Sequence, residues 1–164
     1  MANYDYTLGT AGSGLYKTVE KNSHFARKHV ISFADVLATK GSDLATNDTV
    51  DILTLNPGER VVNVTARVIT AGTASSTVTV GDQSDADGYI ASVACDGTAG
   101  TVSGANGAYL FTQYGTTPFA VTWVGGKSYS ATNTLRMTLG ATAPQAGVVE
   151  FTAFIEQVGT DSAI

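Results

Sequence analysis

The plainest pattern in the chain lies near its end. Val149, Phe151, Ala153 and Ile155 alternate with Glu150, Thr152 and Glu156. Successive side chains of a strand point to opposite faces, so this period of two predicts a strand with one face on a core and one on water. The same alternation recurs upstream. Over residues 60–70, Val62, Val64, Ala66 and Val68 are expected to face inward, with Asn63, Thr65 and Arg67 outward. Leu135, Met137 and Leu139 alternate with Thr134, Arg136 and Thr138, and Phe119, Val121 and Trp123 with Ala120 and Thr122. Val78 and Val80 mark another strand, and residues 28–33, 88–95 and 107–113 read as further short ones.

One segment breaks the period. Phe33, Val36 and Leu37 are spaced for one or two helical turns, and Ser32 followed by Asp35 gives that helix a capping-box-like start. Turn chemistry separates the strands, as at Asn56-Pro57-Gly58-Glu59, and the Gly- and Ala-rich stretch 96–107 predicts a long loop. Short strands with frequent turns and at most one short helix predict an all-β fold: an antiparallel, jelly-roll-like β-sandwich. No helix is long enough to serve a parallel crossover, which argues against an α/β fold. Residues 1–27 show no clean period and read as an extended N-terminal arm, leaving 28–164 as a single β-sandwich domain.

Composition supports this picture. The 164 residues suit one domain. Charged residues make up only 14%, below the ~25% of an average soluble domain. A surface so poor in charge suits coverage by partners. The net charge of -5 makes nucleic acid an unsuitable partner for the body. Residues 1–40 nevertheless hold five basic side chains against three acids, while the rest holds four against eleven. A mildly basic arm and an acidic body attract each other within one molecule or between neighbours. No apolar run approaches a membrane span, and no apolar segment follows the first residues as in a secretory signal. The expectation is a soluble protein made in a cytoplasm, with no membrane partner.

Candidate chemistry is sparse. The single Cys95 sits in an apolar run and reads as buried. His24 and His29 lack spaced metal-ligating partners. Asp82, Asp85 and Asp87, followed by Gly88, are a candidate calcium loop, because calcium takes several oxygens from flexible backbone. The spacing is not that of an EF-hand, and Val93 occupies the position of its closing glutamate. The alternative is a hairpin connection in which Asp and Gly supply turn conformations. No other cofactor and no catalytic residue is expected, so the chain is read as a non-enzyme. In the arm, Tyr4, Tyr6, Tyr16 and Phe25 are candidate interface anchors, joined by Lys17, Arg27 and Lys28. Aromatic side chains bury a large area at low entropic cost.

A family resemblance rests on an ordered set of segments. Asn47-Asp48 precedes an apolar strand, Asn56-Pro57-Gly58-Glu59 turns into a second, and Thr70-Ala71 ends that one. Val80-Gly81-Asp82 then leads into Asp85-Ala86-Asp87-Gly88-Tyr89, and later comes Tyr129-Ser130-Ala131-Thr132-Asn133-Thr134-Leu135, with Asn133 where the pattern has an acid. In this order the chain resembles small virion structural proteins of tailed bacteriophages, most like capsid decoration (cement) proteins. The match spans most of 32–157 and leaves 1–27 outside it. The resemblance implies a jelly-roll-like body on the capsid exterior that bridges major capsid proteins, reaches neighbours through extended termini, and self-associates as a homotrimer or homodimer. The alternative is a tail, neck or head-fibre module that binds host glycans, with Tyr109, Tyr114 or Trp123 stacking on sugars.

Overall fold

A computed structural model describes residues 24–103, 112–113, 121–122 and 126–157. The strands are β1 (His24–Ser32), β2 (Thr49–Leu55), β3 (Glu59–Thr70), β4 (Thr77–Gly81), β5 (Ile90–Ala94), β6 (Val102–Ser103), β7 (Thr112–Gln113), β8 (Val121–Thr122), β9 (Lys127–Ser128), β10 (Asn133–Leu139) and β11 (Val148–Gln157). The helix among the described residues, α1, spans Phe33–Lys40. Ser32 caps it by accepting the Asp35 N–H, and Gly41 closes it with φ of 74°, a left-handed conformation that glycine adopts without steric cost.

Two antiparallel sheets face each other. One runs β1-β11-β3-β6, with β9 also on β3; the other runs β2-β10-β4-β5. The strands β1 to β6, β10 and β11 pass from sheet to sheet at every step except β4 to β5. This is the interlocked order of a jelly roll, in which two Greek keys put the first and last strands side by side. The first and last strands accordingly pair along their whole length, from His24 opposite Glu156 to Ser32 opposite Val148.

The expected inward faces are those that form the core. Val149, Phe151, Ala153 and Ile155 from one sheet pack with Leu135, Met137, Leu139, Val78 and Val80 from the other, all buried. Each of these side chains larger than Ala153 contributes about 1.5–3 kcal/mol on leaving water, which fixes the register because a one-residue slip would expose the set.

β3 differs from expectation at its start. Val61, not Val62, is buried, while Val64, Ala66 and Val68 face inward as expected. The cause is a bulge: Phe154 pairs with Asn63, but the next residue, Ile155, pairs with Val61. One extra residue on β3 reverses the alternation upstream of it. β1 also begins earlier than expected, so Phe25 and Arg27 belong to the sheet and not to an arm. Beyond the described residues lie most of the expected strands at 107–113 and 119–123, and Tyr109, Tyr114 and Trp123 with them. Among the described residues no helix is long and apolar enough to cross a membrane.

Candidate assembly surface

Phe25, Arg27 and Lys28 are brought together on β1, an edge strand of the larger sheet. Tyr4, Tyr6, Tyr16 and Lys17 lie outside the described residues. The three described candidates have different roles. Phe25 is half-buried and packs against the core. Lys28 is exposed and pairs with Glu150 at 3.5 Å. Arg27 reaches across the sandwich. Its Nη1 donates to the carbonyl of Thr54 on β2 at 2.7 Å, its Nη2 pairs with the Glu59 carboxylate, and its guanidinium lies over the Phe25 ring, 5.2 Å from the centroid.

Glu59 is 2% exposed, which would be costly for an unpaired carboxylate. It is satisfied by Arg27 and by Asn56, whose backbone N–H donates at 2.8 Å and whose side-chain amide donates at 3.1 Å. Arg27 therefore acts first as a clamp between the two sheets. Its sequence signal was only its charge. In the sequence its partner Glu59 is part of a turn, and nothing local announces a buried ion pair 32 positions away.

The outer face of the larger sheet is a ladder of paired charges around apolar points. Glu150 on β11 pairs with Lys28 on β1 and with Arg67 on β3 at 3.2 Å, and Arg60 pairs with Glu156 at 3.6 Å. Phe154, 40% exposed, stands in the same row opposite Ala26 and Asn63. A depression of about 350 Å³ beside it is lined by His24, Phe25, Ala26, Val62, Phe154 and Ile155. Val30, Ile69 and Val102 are also exposed. A groove of about 660 Å³ opens between β1, α1 and β2, with Val30, Ile31, Val36 and Val50 on its walls and Asp35, Asp48 and Asp51 facing it. The outer face of the larger sheet thus exposes single apolar side chains among paired charges.

The aspartate loop follows β4 and is arranged differently from a cation cradle. Asp82 is buried and faces inward, Asp85 is half-buried, and Asp87 is exposed. Burial acts to raise the Asp82 carboxyl. Lys127, the side chain and backbone of Ser84, and the Tyr129 hydroxyl outweigh it and hold the group well below the usual carboxylate range. Lys127 Nζ lies 2.5 Å from Asp82 Oδ2 and 2.6 Å from Ser84 Oγ. The Asp85 carboxyl is raised, first by its hydrogen bond with the Asp87 carboxyl. Among the described residues no three His, Cys, Asp or Glu side chains form a group suited to a metal ion. Gly81 permits the loop's tight return, since a Cβ there would stand 1.9 Å from the Asp85 carbonyl oxygen.

The remaining candidates are placed simply. His24 and His29 are exposed on β1. Cys95 is buried, and burial together with Asp96 pushes its thiol up to about 12.

Sheet order and strand pairing together define an all-β sandwich of jelly-roll order. The same fold occurs in chains from three phage capsids. A chain in the capsid of Ralstonia phage GP4 aligns with a TM-score of 0.54 at 16% identity, over 85% of this chain and 86% of that one. A chain in the acidic stable capsid structure of Helicobacter pylori bacteriophage KHP30 aligns at 0.54 and 10% identity, over 84% and 91%. One in the Cyanophage Pam1 capsid asymmetric unit aligns at 0.52 and 15%, over 94% and 97%. No protein-family model and no curated protein matches the sequence. At these identities the likeness is one of fold.

Proposed function

We propose that this chain is a bacteriophage virion structural protein of the decoration, or cement, kind, which stabilises a shell by bridging major capsid proteins on its exterior. The observation that carries the reading is the near-complete alignment with chains from three phage capsids, 84% to 94% of this chain in each case. The alignments also take in most of each capsid chain, from 86% to 97%. The order of segments in the sequence agrees with it.

Cementing is a task for many weak contacts. Each copy contributes a modest interface, and repetition over a shell gives resistance through avidity. The outer face around Phe154 supplies aromatic area within paired charge, and Tyr4, Tyr6, Tyr16 and Lys17 supply anchors upstream of β1. Self-association as a trimer or dimer would place several such surfaces around one symmetry axis. Copy number in purified particles tests the reading. Hundreds of copies per particle fit a cement protein; six, twelve or a few dozen would assign the chain to a tail, neck or fibre part instead. The arm is tested separately by removing residues 2–23, a cut that stops short of β1. Undiminished capsid binding would refute its bridging role.

A further inference from the structure

One row of residues crosses all four strands on the outer face of the larger sheet. Val30 on β1 stands opposite Glu150 on β11, Glu150 opposite Arg67 on β3, and Arg67 opposite Val102 on β6. Directly opposed residues of an antiparallel pair share a face, with their Cβ atoms about 5 Å apart. From one edge to the other the row is therefore apolar, acidic, basic, apolar. Its centre is closed by the Glu150–Arg67 pair at 3.2 Å, and its ends protrude, Val30 being 55% and Val102 58% exposed. Further along, Glu156 on β11 pairs with Arg60 on β3 at 3.6 Å. In both pairs the acid stands on β11 and the arginine on β3.

The two outer faces of the sandwich differ. Val30, Ile69, Val102 and Phe154, the exposed large apolar side chains among the described residues, all belong to this sheet. A corresponding row on the other sheet is Thr49, Thr138 and Thr79. Covering the first face takes large apolar side chains out of water, and covering the second does not.

The order of the row selects what covers it. Consider two copies stacked face to face about a two-fold axis that runs along the strands, midway between β11 and β3. The axis lays β11 of one copy over β3 of the other. Glu150 then meets Arg67 of the second copy, Val30 meets Val102, and the two ion pairs stack head to tail as a square of alternating charge. Had β3 carried acids like β11, or had one end of the row been charged, the same operation would set like charges together or a charge on a valine. Self-complementarity of this kind is what a two-fold interface needs, and a dissimilar partner does not require it.

The face is large enough for a reversible contact. β11 has ten residues. At about 3.3 Å per residue and about 4.8 Å between strands, the face spans about 30 by 15 Å. Two such faces remove roughly 1,000 Å² in all, at the small end of specific interfaces. Packed sheets cross at about 30°, so the match is closest in the row beside the axis.

We propose that the outer face of β1, β11, β3 and β6 takes a second copy of this chain, forming a face-to-face, two-fold dimer centred on the Glu150–Arg67 pair. The pairing rests on the self-association proposed above, gives it a face and an axis, and selects the dimer over the trimer.

Sedimentation equilibrium of the purified full-length chain, without capsid, is the test. A reversible dimer with a Kd of about 1–100 µM is expected. Arg67→Glu leaves two acids at the centre of the row and Glu150→Arg leaves two bases, so each should weaken the dimer at least about tenfold. An equimolar mixture of the two sets an acidic centre on a basic one. It should recover association to within about threefold of the wild type, as a heterodimer. Val102→Asp, at an exposed end of the row, should weaken the dimer about tenfold, and Thr138→Lys on the other sheet should leave it unchanged. Thermal unfolding checks that each variant is folded. Should a charge reversal fail to fold, Val30→Asp and Val102→Asp decide. The proposal is overturned by a chain that stays monomeric at about 500 µM, by a trimer, by folded charge variants whose mixture does not recover, or by aspartate variants that dimerise like the wild type. The cement reading keeps its separate test. A monomer present in hundreds of copies per particle refutes the dimer alone, and a dimer present in six or twelve copies refutes the cement reading alone.

Discussion

Tyr129 and Asp82 stand 47 positions apart and meet at 2.8 Å, the tyrosine hydroxyl donating to Asp82 Oδ2. Asp82 follows β4 of one sheet, and Tyr129 follows β9 of the other. Their bond therefore ties the two sheets at the margin away from β1. Tyr89 extends the network, its hydroxyl 2.7 Å from that of Tyr129. Burial first, then Tyr89 and Asp82, pushes the Tyr129 phenol far above the ordinary tyrosine range, so it stays a donor at all working pH values. Asp82→Asn breaks the ion pair with Lys127 and weakens the acceptor. The expected cost is about 2–3 kcal/mol, or about 5–10 °C in Tm for a domain of this size. Tyr129→Phe, which removes one hydroxyl, should cost about 1–2 kcal/mol. Thermal and urea unfolding measure both. A loss below about 0.5 kcal/mol for Asp82→Asn would show the network to be dispensable.

The same carboxylate sets an acid limit. Its pKa is lower in the folded state than in the unfolded chain, where Asp titrates near 3.9. The folded state therefore holds fewer protons, and stability linked to this group is complete above about pH 4 and falls as the pH drops below it. Urea titrations across the acid range should show this slope. Asp82→Asn should flatten it, while leaving the protein less stable at neutral pH.

Arg27 and Lys28 are neighbours in sequence and both basic, yet unequal in effect. Arg27→Ala leaves Glu59 buried without its cation and removes the link to Thr54. A loss of about 2–3 kcal/mol is expected, moderated because the Arg27 side chain is 31% exposed. Lys28→Ala removes a surface pair and should stay within about 0.5 kcal/mol. Equal losses would contradict the clamp.

How far these features could be read from sequence depends on their range. Core positions on β4, β10 and β11 were legible because period-two alternation is local. The β3 bulge was not, because it is defined by pairing with Ile155 on a distant strand. The helix start was legible from Ser32 and Asp35, three residues apart. Asp82, Asp85 and Asp87 resembled one cluster because they are adjacent in sequence. The partner that decides Asp82's role, Lys127, comes from 45 positions away. Arg27 is conspicuous in the sequence for its charge, but the carboxylate that claims it, Glu59, sits in an ordinary turn sequence.

The aspartate loop yields a prediction on metal. Asp82 Oδ2 already accepts from Lys127 and Tyr129, and Oδ1 accepts from the Ser84 backbone and hydroxyl at 2.8 Å and 2.7 Å and from the Asp85 N–H at 3.1 Å. A calcium ion would have to displace a cation and several donors to reach it. Asp85 and Asp87 would then supply few of the six to eight oxygens that calcium takes. Chelation with EDTA and addition of millimolar calcium are expected to leave the melting temperature within about 1 °C, since only binding selective for the folded state shifts it. Asp85→Asn and Asp87→Asn should be similarly mild, whereas Gly81→Ala, which drives a Cβ into the Asp85 carbonyl, should cost about 1–3 kcal/mol. A calcium-dependent rise of several degrees that vanishes in Asp85→Asn would instead make this loop a cation site.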